Sequence, residues 1–68
     1  MTRYETSVLF CRKSDRERIT ANINLPRWAV IDMFCKAKLG DGIMPIGDWN
    51  VNLDEYLFMG IINEKMWV

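Results

Sequence analysis

The sequence predicts a small α+β domain spanning residues 1–68: an antiparallel β-hairpin followed by a helix, a loop, a second short helix and an extended C-terminus. Three observations carry this expectation. Apolar and polar residues alternate strictly from Arg18 to Leu25, as in a strand with one buried and one solvated face. A helix-length apolar segment opens after Pro26 and stops at Gly40, matching the preference for Pro at the start and Gly past the end of helices. And 68 residues suffice for one domain only, a size that buries roughly 60% of its extended-chain surface and is stabilised by a thin margin.

Residues 3–12 read as the first strand. Tyr4, Thr6, Val8 and Phe10 share one face and Leu9 and Cys11 the other. The polar run Lys13-Ser14-Asp15-Arg16-Glu17 is long enough for a hairpin loop. In the second strand, 18–25, Ile19, Ala21, Ile23 and Leu25 oppose Arg18, Thr20, Asn22 and Asn24. The helix is predicted over 27–39, with Lys36 and Lys38 near its negative end and Gly40 as a left-handed cap. At 100° per residue Ala29, Asp32 and Lys36 form a narrow polar sector, and apolar residues fill most of the remaining circumference. Trp28, Ile31 and Cys35 point to one side, Val30, Met33 and Ala37 to another, a wider apolar arc than one sheet face needs.

Residues 40–48, with Asp41-Gly42 and Pro45 to Asp48, read as a loop holding at most a short extended piece. Trp49, Val51 and Leu53 alternate with asparagines and could form a short strand. A competing helix signal begins at Asn52, with Glu55 three residues on; Leu53, Tyr56, Leu57, Gly60 and Ile61 then keep helical spacing. A helix over 53 to about 60 and an extended C-terminus is preferred over a second hairpin.

The composition argues against catalysis. Histidine is absent, which removes the commonest general base and metal ligand. Cys11 and Cys35 are too few for a four-ligand zinc site and are expected as buried free thiols, suiting a reducing cytoplasm. Gly40-Asp41-Gly42 and Gly47-Asp48 lack the phosphate-loop and calcium-loop patterns and read as tight turns, while Asp54-Glu55 reads as helix capping. No enzyme, cofactor or metal site is expected. The first five residues interrupt any signal-peptide run, and no stretch reaches the ~18–20 apolar residues of a membrane span; a cytoplasmic protein without a membrane partner is the expectation.

Net charge is zero but unevenly spread. Residues 1–38 carry eight Lys/Arg against four Asp/Glu, and residues 39–68 carry one against five. The basic cluster Arg12, Lys13, Arg16 and Arg18 surrounds the hairpin loop and, with Met33 on the helix, forms the candidate partner-binding set. Such a cluster suits phosphates or an acidic protein surface, though Asp15 and Glu17 share the loop.

Two segments resemble DNA-binding architectures. Residues 18–26 followed by a helix look like the opening of a ribbon-helix-helix repressor, in which a strand pairs with its dimer mate. The likeness covers 18–39 and departs where a second helix should follow a short turn. Leu57 to Ile62 with Trp67-Val68 is similar to the helix-to-wing passage of winged-helix domains. Neither likeness transfers a base-reading residue. The first expectation is a small non-enzymatic protein-binding domain that binds itself and modulates another protein, as short phage or mobile-element proteins block a host machine. A DNA-binding regulator is the alternative.

Overall fold

Val8 and Phe10 have no solvent exposure: the strand that carries them, β1 (Arg3–Arg12), is central in its sheet and turns both side chains into the core. A computed structural model describes residues 2–68 and places β1 between β2 (Arg18–Ile23) and the last strand, β5 (Tyr56–Trp67), in one antiparallel sheet. Between β2 and β5 come the helix α1 (Arg27–Leu39) and a two-stranded hairpin, β3 (Ile43–Ile46) and β4 (Trp49–Asn52). The domain is thus α+β with one helix.

The alternation in the first two strands becomes register. Thr6 faces Ile23, Val8 faces Ala21 and Phe10 faces Ile19, so these side chains share the inner face of the sheet. On the outer face Ser7 Oγ donates to Asn22 Oδ1 at 2.8 Å. β2 ends at Ile23, two residues short of the predicted 25, as the chain bends towards the helix. Residues 13–17 form the expected five-residue loop, closed by Arg12 N–H to the Glu17 carbonyl at 2.8 Å and Arg16 N–H to the Arg12 carbonyl at 2.7 Å.

α1 has the predicted bounds. Val30 and Ala37 are buried against the sheet, and Met33 and Phe34 pack beside them, giving the i, i+3, i+4, i+7 spacing of a core-facing helix stripe. Pro26, the residue before α1, has no capping side chain, and the sheet supplies the missing acceptor: Arg27 N–H donates to Glu64 Oε2 of β5 at 2.6 Å. Thr6, the register partner of Glu64, donates Oγ1–H to the Leu25 carbonyl at 2.6 Å. Two adjacent inner-face side chains therefore anchor the start of the helix, and Glu64 adds a carboxylate at its positive end.

Three expectations are corrected. The left-handed residue after α1 is Gly42 (φ 75°), whose N–H reaches the Ala37 carbonyl at 2.8 Å; Gly40 has φ −110°. At Gly40 the constraint is one of space: a Cβ there would lie 3.1 Å from the Lys36 carbonyl oxygen, a tight contact. The short extended piece allowed within 40–48 is β3, which pairs with β4 across Gly47-Asp48, with Gly47 (φ 56°) in the first central turn position that favours glycine. Cys35 is exposed and Cys11 half-buried, both as free thiols.

The largest correction is the second helix, 53–60, which does not form. Asn52 Oδ1 accepts Asp54 N–H at 2.9 Å and the Asn52 carbonyl accepts Glu55 N–H at 3.0 Å, so the apparent helix start is a turn leading into β5. Two bulges in the β1–β5 pairing leave Met59 and Ile62 as extra residues, each resetting the alternation. Phe58, Ile61 and Glu64 consequently face inward opposite Phe10, Val8 and Thr6. That three-residue period imitates helical spacing. The segment similar to a helix-to-wing passage is therefore strand up to Trp67, and residues 18–23, which look like a repressor's intermolecular strand, pair with β1 of the same chain.

The register makes a direct prediction. Ile23 is 6% exposed and Asn22 exposed on the opposite face. Ile23→Asp should cost roughly 3–5 kcal/mol, enough to unfold a domain of this size, whereas Asn22→Asp should stay within about 1 kcal/mol of the parent. Thermal melts followed by circular dichroism test this; equal melting temperatures would contradict the register.

Candidate functional site

The basic cluster is only partly available. Arg12 Nη1 pairs with Asp15 Oδ2 at 3.0 Å and with Glu17 Oε2 at 3.2 Å, and its Cζ lies 5.9 Å from the Tyr56 ring centroid. The contact with Tyr56, ahead of Asp15, raises the guanidinium pKa above its ordinary value. Lys13 is fixed through its backbone, whose N–H donates to the Glu55 carbonyl at 2.9 Å. That bond lays the acidic turn Asp54-Glu55 beside the basic loop, and Lys13, Asp54 and Glu55 line one shallow groove. The charge division in the sequence is thus not a division in space. Arg16, at φ 61°, stands at the loop tip, and Arg18 opens β2; among the described residues neither forms an ion pair. Met33 is packed half-buried against the core beside β3 rather than standing at the loop with the arginines.

An aromatic cluster underlies the same end of the sheet. Phe10 meets Trp49 edge-on at 5.7 Å, Trp49 meets Tyr56 at 5.3 Å, and Phe34 meets Phe58 at 4.6 Å. Phe34, Tyr56 and Phe58 floor a groove of about 260 Å³, with Lys13 and Lys38 at its rim and Asp54 among its walls. Among the described residues no three His, Cys, Asp or Glu side chains come together as a metal would require, and no helix is long and apolar enough to cross a membrane.

Comparison with protein-family models, curated proteins and solved structures finds no match.

The most distinctive surface is apolar. On α1, Trp28 is 73% exposed, Leu39 91% and Ile31 43%, with exposed Cys35 between them. These residues lie on the side opposite Val30 and Ala37. Sequence spacing had already separated Trp28, Ile31 and Cys35 from Val30, Met33 and Ala37; the structure decides which set faces the sheet. A second apolar area lies along β5, where Leu57 and the bulge residues Met59 and Ile62 are exposed. The helix-like spacing concealed that area, because the bulges that create it disrupt the strand alternation.

At the loop tip, Asp15 Oδ1 accepts the Glu17 N–H at 3.0 Å. This bond, ahead of the attraction of Arg12, lowers the Asp15 pKa below its ordinary 3.8. A depressed carboxyl pKa contributes stability above the unfolded-state value and loses it as pH falls through the lower native one. The loop should therefore keep its closed form at pH 3.8 and loosen in more acid solution. An NMR titration of the Asp15 carboxyl with a midpoint at or above 3.8 would contradict this geometry.

Proposed function

We propose that this chain is a non-enzymatic protein-binding domain that self-associates and, through its remaining surface, modulates another protein. The observation that carries this reading is the open helix face: a Trp, an Ile, a Cys and a Leu aligned along the side of α1 that its own sheet cannot reach. A contiguous apolar surface rimmed by charge is characteristic of an interaction site, and Trp is the residue type most enriched among interface hot spots. Zero net charge offers no long-range repulsion to association. Two free thiols suit work in a reducing compartment such as the cytoplasm.

The second reading, a DNA-binding regulator, draws on Arg16 and Arg18, exposed at the hairpin end without ion-pair partners among the described residues. It accounts for neither the open face of α1 nor the neutralisation of Arg12. The two readings separate by salt: phosphate-directed binding weakens steeply as salt rises, whereas apolar association does not.

Sedimentation equilibrium from low micromolar to about 100 µM tests the reading. The expected result is a concentration-dependent rise to twice the chain mass, little changed between low and moderate salt. A monomer throughout, together with a salt-sensitive mobility shift of duplex DNA, would favour the regulator instead.

A further inference from the structure

We propose that the open face of α1 is a symmetric interface for a second copy of this chain, with the two helices packed antiparallel. This rests on the self-association reading and assigns the surface responsible for it.

The seam is geometrically suited to a partner helix. Trp28, Ile31, Cys35 and Leu39 are spaced by three, four and four residues, the rhythm of an interhelical contact. They fall within a sector of about 80° and extend over about 16 Å of helix. The rim beside them carries Asp32 and Lys36, joined at 2.9 Å as an i, i+4 pair.

That rim selects the direction of the second helix. A two-fold axis crossing the seam between Ile31 and Cys35, at the height of residues 33–34 along the helix, places Trp28 opposite Leu39 of the second copy and Ile31 opposite its Cys35. The same operation sets Asp32 against Lys36 of the second copy, and Lys36 against its Asp32, so the rim is complementary to itself when reversed. A parallel two-fold would carry the two rims to opposite flanks of the seam, where Asp32 and Lys36 of the two copies do not meet. Two-fold interfaces use one patch twice, and only the antiparallel direction pairs this rim with itself. The small thiol of Cys35, mid-seam, gives the facing Ile31 room for close packing.

Pairing through the outer edge of β5, one of the two open edges of the sheet, is poorly provided for. Two bulges interrupt that strand, Gly60 sits at φ 135°, and Glu64 and Lys65 place charges on it. These are the devices that protect an edge from strand addition.

Disulfide trapping reads the arrangement directly. Two forms are mixed, both with Cys11→Ser: one keeps Cys35, the other carries Ile31→Cys together with Cys35→Ser. On mild oxidation the antiparallel seam should give a mixed covalent dimer several-fold in excess of either homodimeric product. Independently, Trp28→Glu and Ile31→Glu, both at exposed positions, should weaken dimerisation by at least about 30-fold while retaining the parental circular dichroism spectrum. Homodimeric disulfides in excess would overturn the antiparallel direction. A wild-type dimer whose dissociation is unchanged by both well-folded variants would overturn this interface and leave self-association standing. A wild-type monomer would remove both.

Discussion

One helix with two apolar sides lies against one sheet, and the sheet reaches only one of them. Much of the structure follows from that constraint. Val30 and Ala37 complete a core with Val8, Phe10 and Ile23 on the sheet side and Met44, Ile46 and Val51 from the β3–β4 hairpin. That hairpin packs alongside α1 and the aromatic cluster around Trp49, so it closes the open end of the core. It does not cross to the back of the helix, and among the described residues no other helix or strand lies there. Beside the charged Asp32 and Lys36, the residues left outside include the apolar Trp28, Ile31, Cys35 and Leu39.

Which side of the helix turns outward is decided where the helix begins. Thr6 and Glu64 are neighbours across β1 and β5; one holds the Leu25 carbonyl and the other the Arg27 N–H. Together they fix the direction and rotation with which the chain leaves the sheet. The bulges at Met59 and Ile62 each shift the register by one residue and together bring Glu64, in place of Ile62, opposite Thr6. The irregularities of β5 thus have two consequences: they bring an acceptor to an otherwise uncapped helix, and they leave Met59 and Ile62 exposed.

The parts of the fold legible in the sequence are those whose periodicity is undisturbed. Residues 18–23 alternate without a break, and 27–39 are bounded by Pro26 and Gly40, so the first hairpin and the helix could be placed nearly to the residue. β5 was obscured because two bulges turn a period of two into a period near three, and because Asn52 uses its side chain in a turn much as it would in a helix cap. β3 was obscured by Pro45, which signals a break but is tolerated in an edge strand. The apolar surplus on α1 was legible as a surplus. Its division into a buried and an open side required the anchoring at Thr6 and Glu64, side chains distant in sequence from the helix start. The charge asymmetry along the sequence did not determine its arrangement in space, where the backbone hydrogen bond from Lys13 to Glu55 brings the acidic turn beside the basic loop.

The central claim is that the outer side of α1 is buried by self-association while the core remains as it is in the single chain. The indole N–H resonances of Trp28 and Trp49 report on these two places separately. Trp28 stands on the open face, and Trp49 lies edge-on to Phe10 and Tyr56 within the core cluster. In a dilution series across the association range, followed by NMR, the account predicts that the Trp28 signal moves with the dimer fraction and that of Trp49 stays in place. A Trp28 signal that does not change while the mass changes would contradict it.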